Sequence, residues 1–260
     1  MRIGQPLTGG RAAVSPARLA DVDILAAVKP LRVLLFDVFG TLVDWRSSLI
    51  EIAEATPSRA DVRADWAGIV DDWRRAYQPA LDRVRQGAAW RDLDGLQRQT
   101  LTDVLARRGV ELAAADRESL IGGWRRLRPW PDSREGLDRL RRRHVTATLS
   151  NGHIALLADL LKFADLRVDI VLSAQLAACY KPDAKVYLMA LRLLECQPGD
   201  AGMVAAHASD LRAAARLGLR PIFVHRPFEW GIGGYRADTP ELDGLLETAG
   251  LVELAEALGC

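Results

Sequence analysis

Four polar groups in this sequence each follow a short apolar run, and their side chains could together perform covalent catalysis. They are Asp37, Ser150 with Asn151, Lys181 and Asp210. An aspartate carboxylate can act as a nucleophile toward an electrophilic atom. A lysine ammonium beside it would keep that carboxylate ionised, because a nearby cation favours the charged form. The set predicts nucleophilic catalysis by Asp37, although each member alone is also typical of an ordinary turn or helix start.

The elements that must position these groups alternate between strand and helix. A buried strand is predicted over 33–36, and further strands over 144–149, 168–172, 203–206 and 221–224. Helices are predicted over 153–163, 183–194, 209–217 and 242–258. This alternation predicts an α/β fold with a doubly wound, Rossmann-like parallel sheet. The strand ends of such a sheet meet in one crevice, so we expect the four polar groups to converge there.

One long stretch of the chain interrupts this alternation. Apolar residues recur at helical spacing from about residue 47 to 128, with no convincing strand. We therefore predict an all-helical cap domain over 47–129, inserted after the first strand. Residues 31–46 and 130–260 would form the α/β core, and residues 1–30 an N-terminal extension.

Composition limits the other classes of function. The 35 lysines and arginines nearly balance 34 aspartates and glutamates, without a basic stripe for nucleic acid or membrane. No apolar stretch is long enough to cross a bilayer, and no secretory signal is evident, so we expect a cytoplasmic protein. The three cysteines fit neither a disulfide framework nor a zinc site.

The order of the polar groups resembles the four motifs of the haloacid dehalogenase superfamily. The matching residues are Asp37 with Thr41, Ser150 with Asn151, Lys181-Pro182-Asp183, and Asp210. Most members of that superfamily are phosphatases, which carry a second aspartate in the first motif and another acid in the fourth. Phe39 and Ala206 stand at those two positions here. A Mg²⁺-dependent phosphatase needs such oxygen ligands, so the sequence disfavours it.

The stretches DVFGTLVDWRSSL, LSNG, YKPDAKVY and AAHASDL resemble the type II (S)-2-haloacid dehalogenases. The resemblance is greatest to a branch with an AAH-type fourth motif. It implies that Asp37 attacks the α-carbon of a short 2-haloalkanoate such as chloroacetate, L-2-chloropropionate or fluoroacetate. An aspartyl ester would form, and water would release the 2-hydroxy acid without any metal or other cofactor.

The same resemblance implies roles for further residues. Thr41 and Ser150 would hydrogen-bond the nucleophile or the substrate carboxylate, and Asn151 would bind substrate or halide. Lys181 would pair with Asp37 and Asp210. Tyr187 matches a tyrosine near the family's site.

Three more residues complete the predicted site. Arg74 is the counterpart of a cap arginine that binds substrate and halide, with Arg75 as the adjacent alternative. Phe39 would line the substrate pocket. His207 could act as the base for the hydrolytic water if its pKa is near neutrality, or it could be a hydrogen-bonded structural histidine.

The partners implied are the 2-haloacid and the halide, and a homodimer is compatible with the resemblance. Two alternatives stay open: a small-molecule phosphatase of the same superfamily, and a catalytically silent binding module with this fold.

Overall fold

A computed structural model describes residues 30–56, 64–235 and 239–260. Residues 31–260 form one compact unit. The extension predicted for the N-terminus lies outside the described residues, apart from Pro30. In the described part of the chain, no helix is both long enough and apolar enough to cross a membrane.

A parallel six-stranded sheet forms the centre of the described fold. Its strands are β1 (Val33–Phe36), β4 (Val145–Ser150), β5 (Ile170–Ser173), β6 (Ala201–Ala205), β7 (Arg220–Val224) and β8 (Leu246–Thr248). The spatial order is β5-β4-β1-β6-β7-β8, and every neighbouring pair is parallel. The chain moves from β1 outward through β4 to β5, and then starts again at β6 on the other side of β1. This reversal creates the crevice at which α/β sheets bind ligands.

Helices lie before, between and after the later strands of this sheet. They are α5 (Ser133–Leu140), α6 (Ile154–Ala164), α7 (Ala184–Leu193), α8 (Ala208–Ala215) and α9 (Leu251–Ala257). The α/β prediction is confirmed, and the strands and helices predicted up to residue 224 lie within two residues of the observed bounds. Helix α5 was not predicted.

The prediction of a mainly helical segment over 242–258 is wrong in its first half. Residues 246–248 form β8, which pairs in parallel with β7 at the edge of the sheet. A strand of three residues is too short to show a period of two, so only its pairing with β7 reveals it.

The helical stretch lies between two short strands, β2 (Val43–Asp44) and β3 (Arg128–Pro129), which pair antiparallel. Its helices are α1 (Trp45–Glu54), α2 (Trp66–Arg85), α3 (Leu93–Arg108) and α4 (Ala114–Gly122). No strand interrupts them in the described residues between β2 and β3. The β2–β3 pair was not predicted, and the assignment of these helices to a separate cap domain stays a prediction.

Aspartates begin the first three of these helices. The side chains of Asp44, Asp65 and Asp92 accept hydrogen bonds from the backbone N–H three residues later, at 3.0, 2.9 and 2.8 Å. Such caps satisfy N–H groups that have no partner within the helix. They fix the start of α2, the helix that carries Arg74.

Candidate active site

Asp37 lies at the carboxyl end of β1 and is only 7% exposed. Its Oδ1 accepts a hydrogen bond from Lys181 Nζ at 2.9 Å. Its Oδ2 accepts one from Thr41 Oγ1 at 2.8 Å and lies 3.1 Å from His207 Nδ1. Three elements therefore converge on one carboxylate: the turn after β1, the loop before α7 and the end of β6.

Lys181 connects the two predicted aspartates. Its Nζ also contacts Oδ2 of Asp210, whose Oδ1 accepts a hydrogen bond from the hydroxyl of Tyr187. The backbone N–H of Lys181 donates to Asn151 Oδ1 at 2.8 Å, which ties the end of β4 to the lysine. The ammonium group thus lies between two buried carboxylates and fixes their separation.

The charges in this cluster set the protonation of Asp37. Burial opposes ionisation, but attraction from Lys181 and hydrogen bonding from His207 outweigh it, so the pKa of Asp37 lies well below its usual range. Burial likewise lowers the pKa of Lys181, whereas Asp210 and Asp37 more than compensate and raise it above the ordinary lysine value. Asp37 is therefore an anion throughout the physiological pH range.

His207 lies between two carboxylates. Its Nδ1 faces Asp37 and its Nε2 lies 3.1 Å from Oε1 of Glu229. Burial lowers its pKa, but the attraction of Glu229 and the hydrogen bonds to both carboxylates raise the pKa of His207 to about 10. The expectation of a pKa near neutrality is therefore wrong, because the ring carries a proton on each nitrogen in this state.

Glu229 was not predicted from the sequence. It lies in the loop after β7 and is 4% exposed. The prediction considered polar residues directly after strands, whereas Glu229 comes five residues after β7 ends at Val224. Its position at the carboxyl side of a predicted strand was the only signal that could have indicated it.

A cavity of about 400 Å³ opens at Asp37, a volume within the range of small-molecule binding sites. It is lined by Asp37, Phe39, Arg74, Tyr77, Gln78, Arg85, Asn151, Lys181, Pro182, His207, Ser209 and Asp210. Tyr77, Gln78, Arg85 and Ser209 are lining residues that were not predicted. Arg85 also donates from its Nη1 to the carbonyl oxygen of Lys181 at 2.7 Å, and so holds the lysine loop against α2.

Three predicted site residues, Ser150, Tyr187 and Thr41, do not line this cavity. Ser150 is fully buried, and its hydroxyl accepts a hydrogen bond from the backbone N–H of Gly152 at 3.1 Å. Its predicted contact with substrate or nucleophile is therefore not seen. Tyr187 is also fully buried and contacts Asp210 rather than the cavity. The hydroxyl of Thr41 donates to Asp37, and it also accepts a hydrogen bond from the backbone N–H of Ala206 at 3.0 Å.

Arg74 and Arg75 point in different directions from α2, because adjacent residues of a helix cannot share one direction. The Cζ atom of Arg74 lies 5.2 Å from the ring centroid of Trp45 and 4.7 Å from that of Tyr77. Its Nη1 is buried, and it has no hydrogen-bond partner among the described residues. Arg75 is 61% exposed and pairs with Asp72. Of the two arginines, only Arg74 offers a desolvated donor to a ligand in the cavity.

The two positions at which the phosphatases carry acids are apolar in the structure as well. Phe39 lines the cavity, with its ring 5.4 Å from that of Trp124, and Ala206 is buried. Within the described ranges, no three side chains of histidine, cysteine, aspartate or glutamate are arranged to hold a metal ion. Lys181 occupies the space between the two aspartates.

Comparison with known proteins supports the resemblance. Residues 31–218 match the family model of haloacid dehalogenase-like hydrolases. An (S)-2-haloacid dehalogenase of Burkholderia cepacia is 28% identical over 205 residues, which cover 76% of this chain and 85% of that protein.

Two solved structures show the same fold over most of the chain. An L-2-haloacid dehalogenase is 43% identical, with a TM-score of 0.84, over 88% of this chain and 99% of its own. A defluorinating L-2-haloacid dehalogenase is 33% identical, also with a TM-score of 0.84, over 88% of this chain and 96% of its own. The chain therefore belongs to the haloacid dehalogenase-like hydrolases and, within them, to the L-2-haloacid dehalogenases.

Proposed function

We propose that this enzyme hydrolyses short 2-haloalkanoic acids through an ester on Asp37, without a metal ion. It is a hydrolase that acts on carbon–halide bonds. The substrates proposed are chloroacetate, L-2-chloropropionate and fluoroacetate. The observation that carries the proposal is the buried, ionised carboxylate of Asp37, which borders a cavity together with Arg74, whose buried Nη1 has no hydrogen-bond partner in the described part of the chain.

In the first step, Asp37 attacks the α-carbon of the acid from the side opposite the halogen. The carbon–halogen bond breaks, halide leaves as an anion, and the configuration at carbon inverts. No proton donor is needed for this departure, which agrees with Phe39 standing where phosphatases carry an acid. Arg74 would bind the substrate carboxylate and the departing halide through its guanidinium N–H groups, assisted by Asn151.

In the second step, water attacks the carbonyl carbon of the ester and frees the 2-hydroxy acid. Lys181 holds the aspartyl group in place throughout, with Asp210 and Tyr187 fixing the lysine. His207 is the proposed base for this water. Alkylation turns the Asp37 anion into a neutral ester, so the attraction that keeps His207 protonated becomes weaker at the moment when a base is needed.

The decisive experiment is halide release from chloroacetate and L-2-chloropropionate in the presence of EDTA, with Asp37→Asn as the control. We expect wild-type turnover to be unchanged by EDTA and the variant to release no halide. Mass spectrometry of the quenched wild type should show the mass of one substrate residue added at Asp37. A loss of activity in EDTA that added Mg²⁺ restores would contradict the metal-free mechanism.

The same preparation tests the alternatives. A phosphatase would release phosphate from small phosphate esters only with Mg²⁺, and a silent binding module would turn over neither class of compound. Fluoride release from fluoroacetate tests the third substrate, for which the 33% identity to a defluorinating enzyme is the support. Homodimer formation and a cytoplasmic location stay predictions, the first of which sedimentation equilibrium would test.

A further inference from the structure

Glu229 is a buried carboxylate for which the two proposed steps give no role. Carboxylates are rarely buried unless they are paired, because removing the charge from water is costly. Here Oε1 accepts a hydrogen bond from Trp45 Nε1 at 2.8 Å and lies 3.1 Å from His207 Nε2. The attraction of His207 outweighs burial and keeps the pKa of Glu229 low, so the pair is ionic.

The surrounding backbone leaves room for this carboxylate. A Cβ atom added to Gly40 would lie 2.2 Å from Glu229 Oε1 and 3.1 Å from His207 Cε1. Gly40 also has a backbone φ of 88°, which residues other than glycine rarely adopt. On the other side, Trp230 packs edge-on against Trp45 with ring centroids 5.0 Å apart. These contacts thus hold the loop after β7 in the position that places Glu229 beside His207.

We propose that Glu229 is a positioning residue for the hydrolytic step, which fixes the His207 ring with Nδ1 directed at Asp37 and keeps the Nε2 proton in place. This inference rests on the proposed function. The arrangement is that of a carboxylate orienting a histidine base, which sets the tautomer and stabilises the imidazolium that forms. Glu229 touches neither substrate nor ester and acts only through His207.

In the free enzyme both N–H groups of His207 donate to carboxylates, Nδ1 to Asp37 and Nε2 to Glu229. When Asp37 is alkylated and halide leaves, the Nδ1 proton passes to solvent. That proton is the one which hydrolysis of a carbon–halogen bond must release.

Nδ1 then takes a proton from water as the water oxygen bonds to the ester carbonyl carbon of Asp37. The bond from this carbon to the alkoxy oxygen breaks, and the alkoxide takes the proton from Nδ1. The new carboxyl group of Asp37 returns a proton to His207, which restores the starting ion pair. During these proton transfers at Nδ1, the Nε2–H group of His207 keeps its proton and continues to donate a hydrogen bond to Glu229.

The charges that face His207 determine how this step depends on pH. Asp37 and Glu229 contact the ring directly; behind them, Lys181 pairs with Asp37 and Arg74 faces Glu229. In the ester state Asp37 is neutral, so Glu229 is the remaining anion that favours the imidazolium. Hydrolysis of the ester should therefore accelerate as pH rises through the alkaline range.

Glu229→Gln tests the inference, since it keeps the shape and an accepting oxygen but removes the charge. Exposed Glu241→Gln, in the segment between β7 and β8, is the matched control. Halide release in the first turnover reports alkylation, and decay of the alkylated protein by mass spectrometry reports hydrolysis. Both are measured with chloroacetate from pH 6 to 10.

We expect Glu229→Gln to alkylate at close to the wild-type rate but to hydrolyse the ester about 10- to 100-fold more slowly, so that alkylated protein accumulates. The apparent pKa of hydrolysis should fall by about one unit or more, because a neighbouring anion has been removed. Glu241→Gln should match wild type in both steps. If Glu229→Gln does not fold, Glu229→Asp tests the inference instead. This variant should keep the alkaline apparent pKa of ester hydrolysis, and of the two steps only hydrolysis should become slower.

Unchanged hydrolysis with an unchanged pH profile in Glu229→Gln would overturn the inference, as would equal slowing of both steps. Neither result would affect the proposed function, which is tested separately by halide release, ester formation and EDTA resistance of the wild type.

Discussion

Replacement of Arg74 by methionine should weaken substrate binding while leaving the folding stability of the protein nearly unchanged. In the structure the guanidinium of Arg74 lies between the rings of Trp45 and Tyr77, and its buried Nη1 has no hydrogen-bond partner among the described residues. A hydrogen bond to a charged group contributes about 1.5–3 kcal/mol. If this donor binds the substrate carboxylate, kcat/KM for chloroacetate should fall about 10- to 150-fold in Arg74→Met.

The expected effect on folding is much smaller. Methionine fills a similar volume beside the two rings and removes a buried donor for which the described ranges offer no hydrogen-bond partner. Loss of the cation–ring contacts acts in the opposite direction, by about 1–2 kcal/mol. The two effects offset each other, so the urea midpoint should change little while activity is lost.

Arg75→Met is the matched control, because Arg75 neighbours Arg74 but is mostly exposed and pairs with Asp72. An exposed ion pair contributes about 0–1 kcal/mol, so this variant should keep nearly full kcat/KM. The assay is initial-rate halide release from chloroacetate and L-2-chloropropionate, with a urea melt of each variant. Near wild-type kcat/KM in Arg74→Met, or an equal loss in Arg75→Met, would refute the assignment of Arg74.

Two further predictions concern the charged cluster. Lys181→Met should abolish halide release and lower the free energy of unfolding by about 3–5 kcal/mol at pH 7, because Asp37 and Asp210 would lose their shared cation. This deficit should shrink as pH falls and the carboxylates protonate; a constant deficit in urea unfolding from pH 7 to 4 would contradict the reasoning. For His207, whose pKa rises from about 6.5 unfolded to about 10 folded, the stabilisation is complete below pH 6.5 and is lost as pH rises through 10. The stability difference between wild type and His207→Gln should therefore decline from pH 6 to 10 in urea unfolding, and an unchanged difference would show that the ring is neutral.

The sequence by itself determined the α/β fold and the meeting of Asp37, Asn151, Lys181 and Asp210. Short apolar runs define the buried strands, and in a parallel sheet whatever follows a strand is placed at the same edge. The meeting of these four groups needs only local periodicity and the geometry of one sheet. Phe39, which the family resemblance placed at the substrate pocket, lines the cavity.

The tertiary structure decided what depends on contacts between distant segments. The sequence left Arg74 and Arg75 open, and only packing shows which of them faces the cavity. Ser150 follows β4 as predicted, yet its hydroxyl turns to the backbone of Gly152 rather than to Asp37. β8 became visible only through its pairing with β7.

The charge of His207 is the clearest example. A histidine pKa near neutrality is the ordinary value, and nothing adjacent to residue 207 in the sequence changes it. The shift to about 10 requires Asp37, which is 170 residues away, and Glu229, which is 22 residues away on a loop without periodicity. Electrostatic interactions act through space, so the sequence determined which groups are present, and the fold alone determined which of them share a proton.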